Sequence, residues 1–148
     1  MINDRPGTVD ELRPDMKIGV QWKGDWRFSA GKEGAPSILI DAHSKDGPSP
    51  PEVLLASLTT CTAVDVVEIL TKRKTPPHAL AIDVTAERAS GSPRRVTKVH
   101  LAYRIAGAGI ERTHAERAIE LAVTKYCTVR DSLDPEMPVT WSLELRES

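Results

Sequence analysis

Two cysteines, Cys61 and Cys127, are the side chains best able to do covalent chemistry in this chain of 148 residues. A thiol serves as a nucleophile, as half of a disulfide or as a metal ligand, and its surroundings decide which. No metal is expected: Cys-x-x-Cys, Cys-x-x-x-His and His-Glu-x-x-His spacings are absent, and His43, His78, His100 and His114 are scattered. No organic cofactor is implied either. The N-terminal residues alternate charged and polar types without an apolar run, so neither secretion nor a membrane anchor is expected and the setting is read as cytoplasmic. There a cysteine pair is reduced, redox-active, or simply two unrelated core thiols.

The neighbours of the two thiols differ. At 100° per residue, Leu54, Leu58, Asp65 and Glu68 share the helical face of Cys61, so carboxylates stand beside it, and like charge raises a thiol pKa. Cys61 therefore needs a cation from another element. Glu52 falls on the opposite side of a continuous helix. Cys127 has Lys125 before it and Arg130 one helical turn after it; both these cations and a helix start near Tyr126 would lower its pKa.

The elements that must position these groups follow from periodicity. Residues 1–16, with Pro6, Gly7 and Pro14 among charges, read as a mobile arm, and 17–148 as a single domain. Ile18, Val20 and Trp22 alternate with polar residues as a half-buried strand. Gly24-Asp25 marks a turn into a strand from Trp26 to Ala30, and Ile38–Ile40 make a third, giving a small meander. Ser49, Pro50, Pro51 and Glu52 fit a capping box that opens a long helix to about Lys74. Lys72, Arg73 and Lys74 suit its C-terminal dipole, and Pro76-Pro77 stops it. Leu80–Thr85 and Val96–Ala106 alternate as two long strands. A second helix is predicted over 111–124, a short helical segment over 126–133, and a last strand from Val139 to Arg146. The order is β-β-β-α-β-β-α-β, an α+β class with an antiparallel sheet around a buried central helix.

Composition excludes several function classes. Lys and Arg total 20 against 21 Asp and Glu, a net charge of −1, without the basic excess of a nucleic-acid binder. Six aromatics, Trp22, Trp26, Phe28, Tyr103, Tyr126 and Trp141, leave no stacking platform for bases. Neither a nucleic-acid nor a membrane partner is expected. The first eighteen residues of the central helix, EVLLASLTTCTAVDVVEI, are apolar or small on almost every face, more than one sheet can cover, so a homodimer is expected.

SPPEVLLASLTTCTAVDVVEIL, residues 49–70, followed by VTKYCTVRDSL, residues 123–133, resembles the OsmC/Ohr family, and its OsmC-like branch most closely. The branch shows a Ser-Pro-x-Glu helix start, a cysteine in mid-helix, an aspartate four residues on, and Lys-Tyr-Cys near the second helix. The resemblance covers about residues 17–146 and implies an intertwined homodimer with its central helices packed together. It also implies a peroxidatic Cys61 that attacks an organic hydroperoxide or peroxide, a resolving Cys127, a Cys61–Cys127 disulfide, reset by an external dithiol, and a part in the oxidative stress response. In the family's hydroperoxide reductases an Asn-Pro-Glu glutamate holds an arginine against the thiolate. Here position 51 is proline and the glutamate is Glu52, a shift of one residue that turns a helical side chain by about 100°, so Glu52 stands as either catalytic residue or cap. Arg27 in the second strand, or Arg130, is the candidate cation, and Trp22, Trp26 and Phe28 are candidate substrate-lining residues. The alternative reading is a non-catalytic stress protein of this fold that binds an apolar small molecule.

Overall fold

The computed structural model describes residues 15–148, so residues 1–14 of the expected arm lie outside the described residues. The chain forms two compact units, one ending at Pro50 and one spanning Pro51–Ser148.

In the first unit, β1 (Gly19–Trp22), β2 (Arg27–Gly31) and β3 (Ile38–Asp41) form an antiparallel meander, with Val20 opposite Ala30 and Phe28 opposite Ile40. The β1–β2 connection turns at Gly24 (φ 95°) and Asp25 (φ 50°). Gly24 has no Cβ to oppose this left-handed backbone, and Asp is among the few other residues that tolerate it. The strand expected to be half-buried is not: Ile18, Val20 and Trp22 are 65%, 62% and 67% exposed, because the alternation that marks a strand does not supply a layer to cover it.

The second unit is built on α1 (Pro50–Lys72), β4 (Ala79–Arg88), β5 (Val96–Ala106), α2 (Arg112–Leu121), α3 (Thr128–Asp131) and β6 (Val139–Arg146). α1 begins one residue after Ser49, where the capping pattern places it. It ends in a Schellman turn: Lys74 takes a left-handed φ of 65°, Thr75 N donates to the Leu70 carbonyl at 3.0 Å, and Lys74 N donates to that of Thr71 at 2.9 Å. Pro76 and Pro77 then forbid continuation.

β5 is the central strand of the second sheet. β4 pairs with it antiparallel, placing Ile82 opposite Tyr103, but β6 pairs with it parallel, placing Leu143 opposite the same Tyr103. The wholly antiparallel sheet expected from sequence is thus corrected. Parallel neighbours need a long crossover, and α2 with the segment after it supplies one. The inward row Val99, Leu101, Tyr103 and Ile105 is essentially solvent-free and meets Leu58, Val66 and Leu70 of α1 and Ala115, Ala118 and Ile119 of α2. Each large side chain buried there contributes about 1.5–3 kcal/mol. The alanines at i, i+3 and i+7 (Ala115, Ala118, Ala122) keep α2 thin against the sheet.

α1 is not buried all round within the chain. Leu58, Thr59, Thr62, Val66 and Leu70 are its buried residues, while Leu54, Val64 and Val67 are 38%, 59% and 40% exposed. One helix laid on one sheet covers a stripe and leaves the opposite stripe bare.

Candidate functional site

The route from α2 to β6 decides where the second thiol sits. Helical turns continue past Leu121 as a π turn over Ala122–Tyr126, in which Cys127 N bonds to the Ala122 carbonyl five residues back, at 3.1 Å. The wider turn lets the chain leave the helix with Cys127 in an extended conformation (φ −73°, ψ 110°), at the N-cap of α3. There its Sγ does what a Ser or Asp oxygen does at an N-cap and accepts from Arg130 N at 3.2 Å. The thiol hydrogen faces the Leu58 carbonyl of α1 at 4.0 Å, one turn before Cys61 on the same helix.

Cys61, half-buried on α1, completes the pair. It packs against the core cluster that contains Cys127, the two thiols act on each other electrostatically, and no disulfide joins them. α1 and the π turn thus bring together the two residues singled out from sequence. The electrostatics of Cys127 differ from expectation. Its residue is only 3% exposed, and this burial pushes the thiol up to about 11; the Arg130 N–H opposes that, and the Cys61 thiol adds to it. The cations expected to lower it are engaged elsewhere. Arg130 directs its guanidinium at the carbonyls of Asp134 (2.8 Å), Pro135 (3.2 Å) and Met137 (2.8 Å), and Lys125 sits 5.5 Å from the centre of the Tyr126 ring.

Two hydroxyls beneath the thiols were not singled out from sequence. Tyr103 OH lies 2.5 Å from Thr62 Oγ1, both residues being buried. Thr62 donates its own proton to the Thr59 carbonyl at 2.8 Å, so Tyr103 is the donor to Thr62. Burial lifts the Tyr103 hydroxyl to about 12 against the pull of Thr62, and Cys127 and Asp65 add to the lift. The signal was available: Tyr103 is the one hydroxyl-bearing residue in the inward row of β5, and a buried phenol needs a partner.

Asp65 keeps one carboxyl oxygen, Oδ2, buried without a hydrogen bond. Burial first, and Glu68 second, push its carboxyl upward. Glu52 is exposed in the first turn of α1. Trp22, Trp26, Phe28 and Arg27 lie in the first unit. There Arg27 pairs with Asp25 at 3.8 Å and Asp46 at 3.6 Å, Trp22 Nε1 donates to the Asp25 carbonyl at 2.9 Å, Trp26 meets the His43 ring at 5.2 Å, and Phe28 is half-buried. A cavity of about 340 Å³ adjoins the second thiol, lined by Cys127 with Lys125, Arg130, Leu133, Pro135 and Val139 among its walls.

Comparison with known proteins agrees with this architecture. Residues 43–142 match the family model described as OsmC-like protein. The chain is 31% identical over 131 residues to the protein YhfA of Escherichia coli strain K12, covering 88% of this chain and 98% of YhfA. Among solved structures, an OsmC-like protein from Mycoplasma pneumoniae superposes with a TM-score of 0.77 at 17% identity, over 92% of this chain and all of that one. The organic hydroperoxide resistance protein OhrB of Bacillus subtilis superposes with a TM-score of 0.59 at 12% identity, over 86% of this chain and 96% of that one. By this match over most of its length, with the α+β fold and the paired thiols in place, the chain belongs to the OsmC-like protein family.

Proposed function

We propose that this protein is a thiol peroxidase that reduces organic hydroperoxides or peroxides. The observation that carries the reading is the closeness of Cys61 and Cys127: two elements far apart in sequence pack Cys61 against the core cluster that holds Cys127, where the two thiols act on each other. Their environments divide the roles. Cys127 keeps its proton at neutral pH and so is the weaker nucleophile toward peroxide; Cys61, the more exposed thiol, attacks first.

The Cys61 thiolate attacks one oxygen of the O–O bond. The S–O bond forms as O–O breaks, and the alkoxide leaves as the alcohol after taking a proton, with Cys61 as sulfenic acid. Cys127 sulfur then attacks the Cys61 sulfur, a proton passes to the departing oxygen, and water leaves as the disulfide forms. An external dithiol returns both thiols. Arg27 is proposed as the cation that supports the thiolate, since its pairs with Asp25 and Asp46 are exposed and hold it by about 1 kcal/mol or less. Glu52 is proposed as its carboxylate partner. Trp22, Trp26 and Phe28 are proposed to supply apolar surface to the substrate. The exposed stripe Leu54, Val64 and Val67 on α1 supports a second copy of the chain as the partner that covers it. The fold shared with an organic hydroperoxide resistance protein is in keeping with this substrate class.

Hydroperoxide consumption by purified protein with dithiothreitol tests the reading. Wild type is expected to turn over and Cys61→Ser to consume none. Cys127→Ser is expected to stop after one equivalent in the absence of thiol, with a sulfenic acid on Cys61 that dimedone captures. Wild type that consumes no hydroperoxide would sink the proposal.

A further inference from the structure

The cavity beside the second thiol answers a question that the peroxidase reading leaves open, namely which sulfur of the disulfide the reductant attacks. The cavity has a volume of about 340 Å³, enough for a small thiol, and Cys127 is the cysteine among its lining residues. Its walls combine apolar Leu133, Pro135 and Val139 with the charged Lys125, Arg130 and Asp131, so a small thiol would meet both apolar surface and polar groups there. Arg130 is held in place at its wall, its guanidinium donating to the carbonyls of Asp134, Pro135 and Met137.

We infer that this cavity is the reductant site and that a small thiol attacks the Cys127 sulfur, expelling Cys61. The step rests on the Cys61–Cys127 disulfide proposed above. The incoming thiolate forms a sulfur–sulfur bond to Cys127 as the Cys61–Cys127 bond breaks, and Cys61 departs with the electron pair as a thiolate. A second thiol, or the other thiol of a dithiol, attacks the sulfur of the bound reductant, releases Cys127, which takes up a proton, and leaves as the oxidised disulfide. Two thiols thus supply the two electrons that reduce one protein disulfide.

Chemistry points the same way as geometry. In thiol–disulfide exchange the thiol of lower pKa leaves faster. Cys127, pushed up to about 11 by burial, is a poor leaving group, so attack on Cys61 with expulsion of Cys127 is the slow alternative. Oxidation and reduction therefore use different doors: peroxide meets Cys61, and the reductant meets Cys127.

The test uses the full chain, oxidised with diamide so that the disulfide forms independently of peroxide chemistry, then mixed briefly with 2-mercaptoethanol. Acid quenching, alkylation with iodoacetamide and peptide mass mapping locate the mixed disulfide. The expected result is at least about tenfold more 2-mercaptoethanol adduct on Cys127 than on Cys61, with alkylated Cys61 as its counterpart. Adduct on Cys61, or equal amounts on both, overturns the inference. Failure of diamide to form the disulfide overturns it as well, together with the peroxidase reading. A disulfide that diamide forms but hydroperoxide does not refutes the peroxidase reading alone, and the adduct map still decides the route of reduction. As a second variant, Thr124→Trp fills the cavity from an exposed position on its wall and is expected to slow reduction by 2-mercaptoethanol about tenfold; an unchanged rate contradicts the site.

Discussion

The hydrogen bond between Tyr103 and Thr62 fixes α1 on β5 directly beside Cys61, and a double-mutant cycle measures how much it does so. In Tyr103→Phe, Thr62 keeps its bond to the Thr59 carbonyl and loses one accepted proton, so no donor is orphaned. The cost expected is about 0.5–1.5 kcal/mol. In Thr62→Val, the Tyr103 hydroxyl remains at 1% residue exposure with its acceptor gone, and an unsatisfied buried hydroxyl costs about 1–3 kcal/mol. The double variant replaces both partners by apolar groups of similar shape and is expected to cost no more than Thr62→Val alone. The coupling is then about 1 kcal/mol, well above the few tenths seen between independent sites. Urea denaturation gives the four free energies, with an unchanged m-value required of each variant. The midpoint of thermal unfolding follows at about 2–4 °C per kcal/mol for a chain of this size. Strict additivity of the two single changes would refute the reasoning.

Alkaline pH tests the two buried acids. Cys127 is raised from an ordinary 9.0 to about 11 and Tyr103 from 10.0 to about 12, so between these values the folded chain holds protons that the unfolded chain has released. Their contribution is present in full below pH 9 and is lost as pH rises through the folded values; Cys127→Ala is expected to flatten the first part of the decline, and an equally steep curve contradicts this. Arg130→Met removes a charged donor from three carbonyls and is expected to cost about 1–3 kcal/mol by urea denaturation while leaving the Cys127 titration midpoint in place. A midpoint that moves up by a full unit would instead restore the guanidinium as a thiol activator. Val64→Glu, at a position 59% exposed in the chain, is expected to convert a dimer into a folded monomer in light scattering, and an unaltered dimer removes α1 from the proposed interface.

The order of elements was legible because each carries its own local signal: alternation in Val96–Ala106, the proline and serine start of α1, the Pro76-Pro77 stop. The parallel pairing of β6 was not, since alternation reveals a strand but not the direction of its neighbour. The π turn at Ala122–Tyr126 was invisible for a related reason, because one extra residue in a turn changes no composition, yet it sets the position of Cys127. The two cysteines singled out from sequence come to lie in one core cluster, while the pKa of Cys127 was read with the wrong sign. Sequence shows that Lys125 and Arg130 are near; it does not show that Arg130 turns its charge onto the Asp134, Pro135 and Met137 carbonyls and that burial dominates. Thr62 and Tyr103 went unnoticed because a partner forty-one residues away is a tertiary fact.

Free thiols counted before and after one equivalent of cumene hydroperoxide report on the proposed Cys61–Cys127 disulfide. In the wild-type chain without reductant, two titratable thiols per chain are expected to fall to none, with peptide mapping that finds Cys61 joined to Cys127. Two thiols that persist after exposure to the hydroperoxide would contradict it.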